Sequence, residues 1–183
     1  MIVQENVTLV VSTCNLIEDG RSKCEKYWPS AGKEFKFTLG EGIKVEGKSE
    51  EQLSPTLVLR KFLVEDPITG IQKREVRQLH YTGWPDHGVP KGEANLESFK
   101  NMMDYFIWAI LTSAPDEKLV VHCSAGIGRT GTTIGLAHLI LNTWAQRNAG
   151  VADPQISVFS TVRRMREQRT HLVQMVEQYE FIH

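Results

Sequence analysis

The stretch VVHCSAGIGRTG, residues 120–131, sets the reading of the whole chain. With Leu119 before it, Val120-Val121 forms a short apolar run of the kind that makes a buried strand. Between Cys123 and Arg129 stand Ser124, Ala125, Gly126, Ile127 and Gly128, small or flexible enough to curl. A helix is expected from about Arg129 to Gln146. A turn of this kind points successive backbone N–H groups into one concavity, a nest for an anion. The helix N-terminus behind it adds partial positive charge. Such surroundings favour the thiolate of Cys123 over the thiol, with His122 and Arg129 placed to help. Arg129 carries the planar fork that holds two phosphate oxygens at once.

Other readings of these residues compete. Gly126, Gly128 and Gly131 also satisfy G-x-G-x-x-G after a strand, the dinucleotide-binding pattern. That fold needs an acidic residue at the end of the following strand. Asp153 lies at a plausible distance, but Gly150-Val151-Ala152-Asp153-Pro154 reads as a loop. Nothing in a dinucleotide fold asks for a cysteine and an arginine at this separation. An inert buried cysteine, the ordinary fate of a lone one, leaves Arg129 and the glycines unexplained. The stretch lacks the G-K-[ST] ending of a Walker loop.

The rest of the chain fits one α/β domain. It has 183 residues, 41% hydrophobic and 23% charged, with a net charge of -1, ordinary values for a globular domain. The balance gives no reason to expect nucleic acid or an acidic membrane surface, so any anion chemistry is local. The three cysteines, Cys14, Cys24 and Cys123, form no C-x-x-C pair. That argues against a disulfide framework or a zinc knuckle and points to a reducing, cytoplasmic setting. His80, His87, His122, His138, His171 and His183 show no metal-ligand spacing in the sequence, so no metal is expected. No apolar run approaches the roughly 18 residues that span a bilayer, and the N-terminus lacks signal-peptide features.

Strands are expected at Val7–Val11 and, as hairpins, around Gly40 and Gly42 in 35–45 and around Asp66 to Gly70 between 56–64 and 71–81. After the Pro- and Gly-rich stretch TGWPDHGVPKG, Leu96, Phe99, Met103, Phe106, Ile107 and Ile110 recur at helical spacing, predicting a helix over 93–112. Two more helices are expected over 156–166 and 172–182. Strands followed by strand-turn-helix and terminal helices indicate an α/β domain.

The stretch HCSAGIGRTG is similar, residue for residue, to the phosphate-binding signature of protein tyrosine phosphatases. HYTGWPDHGVP (80–90) resembles that family's mobile acid loop. NLIEDGRSKCEKYWP (15–29) resembles a loop and strand bordering its active site. VRRMREQRTHLVQMVEQYEFIH (162–183) resembles its C-terminal helices and glutamine-bearing loop. The resemblance implies a central mixed, twisted sheet flanked by helices. It also implies hydrolysis of phosphotyrosine in protein substrates through a phosphocysteine intermediate, with no cofactor.

By this resemblance Cys123 is the nucleophile. Arg129 and the loop amides from Ser124 to Thr130 bind phosphate, and the Thr130 hydroxyl assists the leaving thiolate. Asp86 is the general acid and base, although an aspartate in a Trp-Pro-Asp turn is by itself an ordinary turn former. Trp84 is read as a packing anchor for a loop that closes over substrate. Gln174 positions water and Gln178 assists. At a spacing of four, the two glutamines are expected on one side of a helix start. Glu18 is matched to a glutamate that orients Arg129, and Lys23 to a lysine on the same border. Arg166 and Arg169 are matched to arginines supporting the signature loop, against the plainer reading of a solvated basic helix face with Arg163 and Arg164.

The family's domain carries an N-terminal part with no counterpart here: early helices, sheet strands, and a loop whose tyrosine stacks on phosphotyrosine. Met1 to Glu5 corresponds to the middle of a family helix. Residues 1–183 are therefore read as one N-terminally incomplete catalytic domain. Without the missing strands a sheet edge and an apolar face are expected to be exposed. The chain is then expected to be less stable than a full family domain, and cooperative thermal unfolding at an ordinary temperature without aggregation would count against this. Two further functions stay open: a catalytically impaired phosphotyrosine-binding fragment, and a dual-specificity phosphatase with an open pocket. The short chain suits the latter, whereas the acid loop and QMVEQYEFIH favour the phosphotyrosine-specific branch.

Overall fold

The computed structural model describes residues 1–36, 42–66, 70–85 and 88–183. Gly40 of the first expected turn, Pro67, Ile68 and Thr69 of the second, and Asp86 and His87 of the acid loop lie outside them. The elements run β1 (Val7–Ser12), β2 (Ile17–Glu18), β3 (Arg21–Ser22), β4 (Glu34–Lys36), β5 (Lys44–Ser54), β6 (Leu57–Asp66), β7 (Ile71–Tyr81), α1 (Glu93–Thr112), β8 (Lys118–His122), α2 (Gly128–Asn148), α3 (Val158–Gln168) and α4 (Val176–Ile182). Six strands form a sheet in the order β4-β5-β6-β7-β1-β8, while β2 and β3 pair by themselves.

The sheet is mixed. β1 runs parallel to both β7 and β8, and β4 through β7 pair antiparallel. All six residues of β1, VTLVVS, are buried. A strand flanked by parallel neighbours and covered on both faces needs such a nearly continuous apolar run. The register sets Ser12 beside His80 of β7 and His122 of β8, so three strands end together. The loops leaving β1, β7 and β8 therefore emerge at one edge of the sheet. Carboxyl ends of parallel strands are where open α/β sheets place their sites.

One face of the sheet packs on helices. Leu9, Val11, Leu57, Leu59, Leu79 and Tyr81 meet Phe99, Met102, Met103, Phe106 and Ala109 of α1 and Ala137 of α2. The α1 residues fall at the expected helical spacing. Trp84 joins this core edge-on to Phe99, with ring centroids 5.4 Å apart. The opposite face gathers Val3, Val7, Val10, Trp28, Val45, Phe62, Val64 and Val76. An apolar cavity of about 240 Å³ opens among these residues, lined also by Ile2, Tyr27 and Ile43.

Several boundaries differ from the sequence expectation. β5 continues to Ser54, because β6 offers it a partner along its length although Glu50, Glu51 and Gln52 point to solvent. α3 starts at Val158, where the Ser157 side chain accepts a hydrogen bond from the Ser160 amide as an N-cap. The last helix begins only at Val176. Residues 172–175 are not helical: Val173 has φ 60°, and its amide donates to the Ile127 carbonyl at 3.0 Å. Gln174 and Gln178 therefore do not share a helix face; Gln174 precedes the helix and Gln178 lies inside it.

Candidate active site

Cys123 sits at the end of β8, and residues 124–127 curl back before α2 begins at Gly128. Gly126 takes φ 71°, a conformation that favours glycine, and its amide donates to Cys123 Sγ at 3.2 Å. α2 has no side-chain N-cap and no acidic residue in its first turn. Its positive end is left to an anion in the loop. Burial pushes the Cys123 thiol up, but the Thr130 side chain and amide, with the amides of Gly126 and Ile127, outweigh it. The thiol is held below its ordinary range. Among the described residues the Thr130 hydroxyl meets no partner at full hydrogen-bond geometry, yet it is the largest of the groups favouring the charged sulfur.

The other two thiols behave oppositely. Burial pushes Cys14 up to about 12, and burial also raises Cys24. Thiolate is the reactive form, so iodoacetamide at neutral pH is expected to label Cys123 before Cys14 or Cys24. The rate should fall only when pH drops below a midpoint under the ordinary thiol range, and Thr130→Ala should move that midpoint up. First labelling at Cys24, or a midpoint unmoved by Thr130→Ala, would contradict this picture.

Arg129 is anchored rather than free-swinging. Its Nη1 and Nη2 donate to Glu18 Oε1 and Oε2 at 2.6 and 2.8 Å, a two-point fork. Nη1 also donates to the Thr13 carbonyl at 3.1 Å and Nη2 to the Pro85 carbonyl at 2.9 Å. The guanidinium thus ties together the loops after β1, β7 and β8. Glu18 accepts in turn from the Asn15 amide at 2.9 Å. The β2–β3 hairpin carries Glu18 to the arginine.

A cavity of about 270 Å³ opens over this group, lined by Glu18, Lys23, Gly88, Cys123, Ser124, Ala125, Gly128, Arg129, Gln174, Met175 and Gln178. Gln178 is buried, and its Oε1 accepts from the amides of Gln174 and Met175, both at 3.2 Å. That bond folds the glutamine-bearing loop onto the helix start. Trp84 is buried and donates from Nε1 to the Gly88 carbonyl at 3.0 Å. Asp86 between them lies outside the described residues.

Behind the loop, the two arginines split from the solvated-face reading. Arg166 donates from Nε to the Leu172 carbonyl at 2.9 Å and from Nη2 to the Val173 carbonyl at 2.8 Å. Arg169 Nη2 donates to the Ala125 carbonyl at 3.3 Å. All four arginines are exposed, and what sets Arg166 and Arg169 apart is these bonds to the loops; Arg163 lies 3.8 Å from Glu167. Gly131 lets α2 touch the glutamine-bearing loop: a Cβ there would stand 2.4 Å from the Val173 amide nitrogen. Gly131→Ala is expected to cost roughly 3 kcal/mol, near the top of usual overpacking penalties. Urea unfolding with an unchanged midpoint would overturn that.

A family model described as protein-tyrosine phosphatase matches residues 1–183. The chain belongs to the protein-tyrosine phosphatase family. The chain is 34% identical to human tyrosine-protein phosphatase non-receptor type 12, over its full length and 22% of that relative. It is also 34% identical to human receptor-type tyrosine-protein phosphatase eta, covering 12% of it. Among solved structures it resembles the catalytic domain of human protein tyrosine phosphatase non-receptor type 18. The TM-score is 0.82 at 30% identity, with 99% of this chain and 60% of that chain covered. The chain thus spans about a fifth or less of these curated relatives, which include receptor and non-receptor forms. Among the described residues no helix of this phosphatase-family chain is long and apolar enough to cross a membrane.

One grouping escaped the sequence reading. His122 donates from Nδ1 to the Cys123 carbonyl at 3.0 Å, and its Nε2 meets the Tyr27 hydroxyl at 2.6 Å. Cys14, Cys24 and His122 come together beneath the loop, with their ligand atoms all within 4.8 Å of one another. His122 ends β8 beside Ser12 of β1, which brings it near Cys14 two residues further on, and Cys24 comes from the segment after β3.

Proposed function

We propose that this domain hydrolyses phosphotyrosine in proteins, with Cys123 as the nucleophile. The observation that carries the reading is a thiol held below its ordinary range at the floor of a cavity, before the uncapped N-terminus of α2. The Cys123 thiolate attacks phosphorus, and the bond to the phenolic oxygen breaks. Arg129 and the amides of Ser124 through Thr130 hold the equatorial oxygens. Positioning and charge stabilisation supply most of catalysis in phosphoryl transfer. Asp86 gives its proton to the departing phenolate. Water placed by Gln174, with Gln178 holding that loop, then attacks the phosphocysteine. Asp86 takes the proton, and Thr130 stabilises the thiolate that leaves.

Glu18 keeps Arg129 oriented, and Lys23 adds positive charge at the rim. The chemistry needs a reduced thiol, which suits a cytoplasmic setting and a role in reversing phosphotyrosine signals. Initial rates on matched phosphotyrosine and phosphothreonine peptides test the substrate class. Turnover of the phosphotyrosine peptide alone is expected. Equal rates on both would indicate dual specificity, and tight binding without turnover would indicate a binding module.

A further inference from the structure

We infer that Cys14, Cys24 and His122 form a binding site for a soft divalent cation, zinc above all. Two thiol sulfurs and one imidazole nitrogen, all within 4.8 Å of one another, are a donor set that suits zinc rather than magnesium or calcium. In a tetrahedral zinc site the bond lengths of roughly 2.0–2.3 Å put neighbouring ligand atoms under about 4 Å apart. The three groups need to draw in by about an ångström. Cys24 is only partly buried and lies outside regular secondary structure, so it is the ligand that shifts on binding.

The histidine is already prepared. Its Nδ1–H is committed to the Cys123 carbonyl, which puts the lone pair on Nε2, where it accepts from the Tyr27 hydroxyl at 2.6 Å and is exchanged for the metal when Tyr27 turns aside. That backbone hydrogen bond is the support that metal-bound histidines usually have. The Tyr27 hydroxyl, which also receives a bond from Gln78 Nε2 at 2.8 Å, gives up its bond to Nε2 when the metal binds, and water completes the four ligands. On binding, each thiol gives up one proton to solvent, and both sulfurs and the imidazole donate electron pairs to the metal. No oxidation state changes. The site does not include the proposed nucleophile, although His122 adjoins it, and it does not depend on the phosphatase reading.

Cobalt(II) reports thiolate ligation by its sulfur-to-metal absorption, and zinc competes for the same ligands. The measurement uses the whole chain carrying Cys123→Ser, so that the reactive thiol contributes nothing. One cobalt per chain with intense near-ultraviolet absorption, displaced by zinc, is the expected result. Adding Cys24→Ser or, separately, Cys14→Ser should weaken zinc binding by more than about 10-fold, with circular dichroism confirming the fold. Cys24→Ser carries the test if Cys14→Ser fails to fold. No sulfur-to-cobalt absorption, or an affinity unchanged in the folded Cys24→Ser chain, would overturn the inference.

Discussion

Replacing Cys123 with serine is expected to lower phosphotyrosine turnover by about 10⁴-fold or more while phosphopeptide binding persists. The loop's amides and the start of α2 stabilise a charged sulfur. A serine hydroxyl titrates far higher and stays neutral in the same cradle, so the attacking species is lost. The cradle itself is made by the backbone of residues 124–130 and by Arg129, none of which the substitution removes. Initial rates and peptide affinity, measured on the same preparation, check both halves. A serine variant within about 10-fold of the parent chain would mean that another group attacks phosphorus.

The second large effect belongs to stability. Arg129 and Glu18 are 7% and 8% exposed, and their fork is two charge-assisted bonds at 2.6 and 2.8 Å. Removing one partner of a buried pair leaves the other charge without compensation, which costs roughly 3–5 kcal/mol. Glu18→Ala also strips the acceptor from the Asn15 amide. Urea unfolding should show that loss, and turnover should fall because the guanidinium no longer holds its orientation. Glu18→Gln, which keeps the shape and one acceptor, should lie between. A Glu18→Ala chain as stable as the parent would mean the pair contributes neither to folding nor to placing Arg129.

The centre of the candidate site was legible in the sequence because its strand, curl and helix start are local. The run VVHCSAGIGRTG contains the strand, the curl and the helix start, and the structure places them as the pattern implies. Glu18 and Lys23 were singled out only by resemblance, since they are distant in sequence from the loop; the structure puts Glu18 in a fork with Arg129 and Lys23 among the residues lining the cavity. What was misread depended on contacts between distant segments. Leu172 to Ile182 has helical spacing, but the Val173 amide bonds to the Ile127 carbonyl and the first four residues are drawn out of the helix. β5 was read short because its polar stretch carries no apolar alternation; its pairing with β6 decides its length. The Cys14, Cys24 and His122 grouping had no signature, since it joins the segments after β1 and β3 to the end of β8.

The central claim is covalent catalysis through Cys123. Gln174→Ala should slow the attack of water on the intermediate, because Gln174 lines the cavity over Cys123. Mixing that variant with a phosphotyrosine peptide, quenching within the first turnover and mapping phosphate by mass spectrometry tests the claim most directly. Phosphate on the sulfur of Cys123, appearing with product tyrosine peptide and decaying with phosphate release, is the predicted result. Phosphate on any other residue, or tyrosine release with no covalent phosphate at any time, would contradict the account.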